Sequence, residues 1–341
     1  MFRALSKLAV MLALCVVVLG AYVRLSDAGL GCPDWPGCYG ALSVPQSESA
    51  IAAAQQAYPD KPVQHAKAWK EMLHRYLAGS LGLLVLGLAV LAYRRRQSLK
   101  TPWQLSSGLV VLISLQALLG MWTVTLLLKP VIVTLHLLGG MTTLAVLTWI
   151  AAKHTQRTTT VVSPVRYLWL RLALLVWFLQ LALGGWTSAN YAALACTDFP
   201  TCHGLWLPQM DVHDGFYLLR GLGESRHGGQ LPLPALTAIQ WVHRIGAAVV
   251  FTWCLIAVVV LTRKASTRPW AWRLLAVLLL QVGIGIGNLV LHLPLVLAVA
   301  HNAGAALLGI LLVIINARLE VRPHDSYQYV YHNKSSYGGL S

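Results

Sequence analysis

Glu71-Met-Leu-His-Arg75 lies a short way into a long apolar segment, and Gln240-Trp-Val-His-Arg244 repeats it far downstream. A histidine inside an apolar span is costly to bury and marks a functional position by default. Each copy is followed, later in its own half of the chain, by a second such histidine. His74, His136, His243 and His301 are therefore the candidate chemistry, and the spans that carry them set the fold.

The surrounding composition is that of a membrane protein. Of 341 residues, 57% are hydrophobic and only 11% are charged. An ordinary soluble domain carries about 25% charged residues. Several runs reach the roughly 20 residues needed to cross a bilayer. We read eight spans, at about 8–25, 70–93, 104–127, 131–152, 167–188, 236–261, 270–291 and 295–316. The first is expected to be an uncleaved helix. Arg3 and Lys7 precede its apolar core, but no small-residue cleavage site follows.

The net charge of +15 does not imply a nucleic-acid partner, because the basic residues cluster in short links between spans. Arg94, Arg95, Arg96 and Lys100 form one cluster, and Lys153, Arg157 and Arg166 a second. Arg263, Lys264, Arg268 and Arg273 form a third, and Arg318 and Arg322 follow the last span. All fall on one side if the N-terminus is cytoplasmic, as the positive-inside rule requires. The long loops at about 26–69 and 189–235 then face outward, and the partner implied is the lipid bilayer.

The two halves repeat at an offset of 164 to 169 residues. Cys32-Pro-Asp-Trp-Pro-Gly-Cys38 answers Cys196-Thr-Asp-Phe-Pro-Thr-Cys202, and Gln116, twenty residues before His136, answers Gln281, twenty before His301. An offset of four spans keeps both copies in one orientation, the parallel kind of repeat. The expected fold is all-α: eight transmembrane helices in two tandem, pseudo-two-fold related four-helix bundles. We place them at residues 1–160 and 161–317, with a polar tail at 318–341.

Each ligand candidate is expected about four to seven residues into its span, roughly 6–10 Å deep at 1.5 Å per residue. Two facing imidazoles can supply both axial ligands of a haem in a bundle core. Ala78, Gly79, Gly139, Gly140, Ala247, Ala303 and Gly304 would leave room for the ring. Arg75 and Arg244, beside the ligands, are placed to meet its propionates. The competing reading is four histidines that only tie helices together by hydrogen bonds. The halves differ at Glu71, three residues before His74, whose counterpart is Gln240. An acid in one site alone suggests chemistry there and a permanent haem in the other. Against that, Glu71 could simply pair with Arg75. The outward cysteines can close as Cys32–Cys38 and Cys196–Cys202, as staples or as a redox-active pair.

These residues resemble the haem A synthase family over about residues 20–316. The likeness rests on the run from Arg24 to Cys38, on Glu71 to Tyr76, on Leu135-His136, on Gln240 to Arg244 and on Ala300-His-Asn302. It implies oxidation of a ring methyl of haem O to the formyl group of haem A, by successive hydroxylation, for cytochrome oxidase. It also implies His74 and His136 as ligands of the substrate haem O, His243 and His301 as ligands of a haem b cofactor, and Glu71 as the catalytic acid. The setting is a bacterial-type inner membrane with both termini cytoplasmic. Haem O synthase and an electron donor are the implied protein partners. The alternatives are a di-haem b electron-transfer cytochrome and a haem O carrier or assembly factor.

Overall fold

The computed structural model describes residues 1–97, 103–155 and 160–321. In chain order these form α1 (Phe2–Leu25), α2 (Glu48–Ala57), α3 (His65–Arg94), α4 (Trp103–Thr125), α5 (Pro130–Thr155), β1 (Thr160–Val162), α6 (Pro164–Ala189), α7 (Val212–Gly215), α8 (Leu233–Thr262), α9 (Arg268–Val290), α10 (Leu295–Ala317) and β2 (Leu319–Val321). Eight of the helices are long and apolar enough to cross a membrane. All eight expected spans are present, and the chain is a multi-pass membrane protein. Helix is the form such runs must take, because lipid offers no partner to a backbone N–H or C=O.

Three differences from the expected layout have local causes. α1, α3 and α8 begin before the apolar runs do, so polar residues such as Lys67 and Lys70 join the helix. Two short helices, α2 and α7, fold within the long loops. Their N-caps are Ser47, which accepts from Ala50 N, and Asp211, which accepts from Asp214 N. The strands β1 and β2 pair in parallel over three residues. They flank α6 and α10, which lie side by side, so the chain leaving one meets the chain entering the other. Lys100, Arg157, Arg322, His324, His332 and the tail beyond residue 321 lie outside the described residues.

Helix ends repeat as faithfully as helices. Asp27 and Tyr191 take left-handed backbone, as do the pairs Leu127-Leu128 and His292-Leu293. The next or same residue then donates back five positions: Ala28 to Val23 at 2.9 Å, Leu128 to Thr123 at 2.8 Å, Ala192 to Thr187 at 3.0 Å and Leu293 to Asn288 at 2.7 Å. These bonds satisfy terminal carbonyls that would otherwise be stranded.

In the first half α1 packs on α3 and α5, and α4 on α3 and α5. In the second half α6 packs on α8 and α10, and α9 on α8 and α10. Contacts of α5 with α6 and α10, and of α1 with α10, join the halves. The shared core includes Leu147, Ile150, Leu170, Leu274, Leu278 and Leu312. Asn316 on α10 reaches across to donate to Leu170 O on α6 at 3.1 Å. Leu83, Leu86, Val111, Leu115, Leu279 and Leu280 are exposed, as lipid-facing side chains should be.

Gly309 on α10 sits under the Trp177 ring of α6, and a Cβ there would overlap the indole. Trp177 Nε1 also donates to Ala305 O at 3.0 Å, so the ring cannot swing away without losing that bond. Gly309→Leu should destabilise the purified protein by about 1–3 kcal/mol, seen as a lower thermal midpoint in detergent.

Candidate functional site

α3 carries Glu71, His74 and Arg75, and α5 carries His136. In the second half α8 carries Gln240, His243 and Arg244, and α10 carries His301. The fold brings the histidines together in the expected pairs. His74 and His136 lie close enough to interact electrostatically, as do His243 and His301. All four residues are half-buried. The Nδ1 atoms of His74, His136 and His301 are buried without a hydrogen-bond partner.

Depth differs from the expectation. His74 and His243 stand nine and ten residues beyond the starts of their helices at His65 and Leu233. His136 and His301 each stand six beyond Pro130 and Leu295. The longer approach reflects the extra turn that α3 and α8 gain from loop residues.

Each imidazole rests against a glycine of a neighbouring helix. A Cβ on Gly20 of α1 would lie 2.9 Å from His74 Cε1, and one on Gly184 of α6 would lie 3.2 Å from His243 Cε1. A Cβ on Gly120 of α4 would lie 3.4 Å from His136 Cε1, and one on Gly285 of α9 would lie 3.0 Å from His301 Cε1. These four glycines were not among the expected site residues. Their spacing, 164 residues for one pair and 165 for the other, follows the repeat and could have marked them. Of the glycines expected to leave room, Gly79 does stand in open space. Gly139 and Gly304 do not: the amides of Gln116 and Gln281 fill the gaps.

Above each pair sits a disulfide loop, Cys32–Cys38 or Cys196–Cys202, each with a Cα–Cα distance of 4.9 Å. The pairing leaves Cys15 and Cys254 free. An aspartate closes each loop. Asp34 accepts from Tyr39 N at 2.6 Å and Gly40 N at 2.7 Å. Asp198 accepts from His203 N at 2.7 Å and Gly204 N at 3.0 Å. Tyr39 and His203 share φ +54°, and the glycine after each is also left-handed, so both turns need these acceptors in the same place.

The arginines grip the loops from below. Arg75 donates to Asp34 O at 3.0 Å, to Pro36 O at 3.2 Å and to Gly37 O. Arg244 donates to Thr201 O at 2.7 Å, Asp198 O at 2.9 Å and Cys196 O at 3.0 Å. A propionate meeting either guanidinium would share it with these carbonyls. Glu71 is buried, pairs with Arg75 at 2.5 Å and accepts from Cys32 N at 3.1 Å. Gln240 is buried at the matching place, and its Oε1 has no partner. A helix-borne carboxylate is thus tied to the loop in the first half only.

The described residues hold no group of three or more His, Cys, Asp or Glu side chains able to share a metal ion. The donor set is instead two pairs of imidazoles, each ring set against a glycine, with three ring nitrogens orphaned. That set fits a flat iron macrocycle ligated on both faces, because glycine admits the close approach and the macrocycle needs only two protein ligands.

The segment Arg220 to Arg226 folds back on α7 near the top of α8. Arg220 donates to Tyr217 O at 2.9 Å and to Asp214 O, and Arg226 N donates to Asp214 Oδ1 at 2.8 Å.

Two outcomes follow from the loops. Arg75→Leu and Arg244→Leu should each make their own disulfide loop, and not the other, cleavable by limited proteolysis. Second, the Thr201 hydroxyl and the N–H groups of Gly204 and His203 hold the Asp198 carboxyl well below its ordinary range. A lowered carboxylate pKa contributes stability above the unfolded value that is lost as pH falls through the folded one. The loop at 196–204 should therefore resist an acid protease down to about pH 4, the ordinary carboxylate value, and yield only below it. Asp198→Ala should be cut throughout.

A family model described as COX15-CtaA, cytochrome oxidase assembly protein, matches residues 3–313. A Shewanella oneidensis protein named "Heme A synthase" is 43% identical over 316 residues, 92% of this chain and 94% of its own length. Proteins of the same name from Caulobacter vibrioides and Bacillus licheniformis are 28% and 24% identical, over 86% and 84% of this chain and 88% and 85% of theirs. With a match of this extent, lying over both pairs of histidines and both disulfide loops, the chain belongs to the COX15-CtaA family of cytochrome oxidase assembly proteins.

Proposed function

We propose that the protein oxidises a ring methyl of haem O to the formyl group of haem A, a reading consistent with the name "Heme A synthase" carried by its relatives. One observation carries the reading beyond the name. Two matched sites would serve symmetric roles, but these two, alike in ligand histidines, ring-facing glycines, loops and arginines, differ in a buried acid, Glu71 against Gln240. In this reading residues 1–160 form the substrate unit and residues 161–317 the cofactor unit.

His74 and His136 hold haem O, and His243 and His301 hold haem b. When bound, the haems supply the redox chemistry of the successive hydroxylations. The protein supplies position and charge. Gly20 and Gly120 set the rings of the first pair. Glu71 places a carboxylate one helical turn from His74, where it can stabilise positive charge growing on the methyl carbon or accept its proton. Arg75 orients Glu71 and ties it to the disulfide loop. The loops cover the outer mouths of both units and exclude water there. With basic links inside, both termini are cytoplasmic and the loops lie outside. Haem O synthase would deliver the substrate, and a separate donor or acceptor would balance the electrons.

Haem extraction and chromatography from cells making haem O test this. The parent protein should yield haem A. Glu71→Gln, which copies the second unit, should lower that yield at least about a hundredfold and accumulate haem O or a hydroxylated intermediate. Arg75→Gln breaks the ion pair but keeps the acid, and should retain more haem A than Glu71→Gln does. If the parent makes no haem A and holds two b-type haems, it is an electron-transfer cytochrome. If it holds haem O unchanged, it is a carrier.

A further inference from the structure

The glutamines singled out by the repeat, Gln116 and Gln281, have a third member and a missing fourth. Each ligand histidine has a residue three positions on, over the same helix face. After His136, His243 and His301 that residue is Gly139, Gly246 and Gly304. Each of these glycines is a notch occupied by a glutamine amide from the neighbouring helix: Gln116 of α4, Gln180 of α6 and Gln281 of α9. A Cβ at any of the three would overlap the amide. Inside two of the notches the amide bonds to the histidine's own backbone. Gln180 Nε2 donates to His243 O at 3.0 Å and lies 3.0 Å from its Nδ1. Gln281 Nε2 donates to His301 O at 3.0 Å and lies 3.4 Å from its Nε2.

At His74 both halves of the device are changed. The residue three positions on is Leu77, and the α1 position matching Gln180 is Val16. Glycine without the amide would leave a hole, and the amide without glycine would clash. Both parts of the notch are thus absent together at His74. In lipid an amide donor has few other partners, so the notch holds its helix in one register.

We infer that the glutamine–glycine notches decide which haem stays and which can leave. Resting on the assignment of haem b to the second unit, Gln180 and Gln281 are positioning residues that fix both haem b ligands. In the first unit His136 stands over a filled notch, Gly139 with the Gln116 amide, and His74 has no notch. His74 is the side of the substrate site that lets go, withdrawing its imidazole with its lone pair so that haem O can enter and haem A can depart.

The test measures transfer of haem from the purified, haem-loaded protein to excess apomyoglobin, with the transferred haem identified by chromatography. Gln180→Met keeps the length of the side chain and removes the donor. It should speed release of haem b about threefold to tenfold and leave release of haem O and haem A from the same molecules at the parent rate. A general loosening of the fold would speed both. Val16→Gln with Leu77→Gly installs the missing notch and should slow release of haem O and haem A by a similar factor. Should that double variant fail to enter the membrane, Gln281→Met replaces it, with faster haem b release expected. Parent rates in Gln180→Met and in its companion variant would overturn the inference while leaving the haem assignment standing. A parent protein that carries no haem b, or no haem O or haem A, would overturn the assignment itself.

Discussion

An imidazole inside a bilayer-spanning helix has no water to bond to, and much of this structure answers that constraint. Each of the four histidines is given a glycine on a neighbouring helix, so the backbone itself comes up against the ring. Two, His243 and His301, also receive a bond from a glutamine amide. The remaining helix faces are ordinary leucine-rich packing, and the outward faces are bare hydrocarbon. The buried polar atoms left without a partner include three of the four histidine Nδ1 atoms, and an unpaired polar atom is costly in a solvent without hydrogen bonds.

The second organising fact is duplication. Left-handed turns, helix ends, loop aspartates, loop arginines and histidine cradles all occur twice, at offsets of 164 to 169 residues. Each unit therefore serves as a reference for the other. Where matched residues differ, the surroundings are otherwise alike, and the difference points to specialisation rather than drift. Glu71 against Gln240, and Val16 with Leu77 against Gln180 with Gly246, are differences of this kind.

Much of this was legible in the chain itself. Span number followed from runs of apolar residues, and the histidine pairs from the repeat. The helix starts were less so. His65 and Leu233 start helices whose first turns pack on the long loops through Ala68 and Met72 and through Ala235 and Ile239, and hydropathy does not see that packing. The grip of Arg75 and Arg244 on the disulfide loops was not legible either. A guanidinium beside a ligand histidine suggests an anion, but the loop carbonyls that occupy it come from residues about 40 positions earlier. Glycines were visible and misread. Gly139 and Gly304 look like open room in a sequence, whereas in three dimensions another helix's side chain fills them.

The adjacency of His74 and Arg75 has a mechanical meaning. Successive residues of a helix point about 100° apart, so one turns inward to the bundle while the next reaches upward to the loop. The same arrangement holds at His243 and Arg244. A twist of α3 or α8 cannot shift the ring without dragging on the carbonyls of the disulfide loop, and a pull on the loop is transmitted as torque to the ring. The outer surface and the buried centre of each unit are thus joined by a rigid crank one residue long.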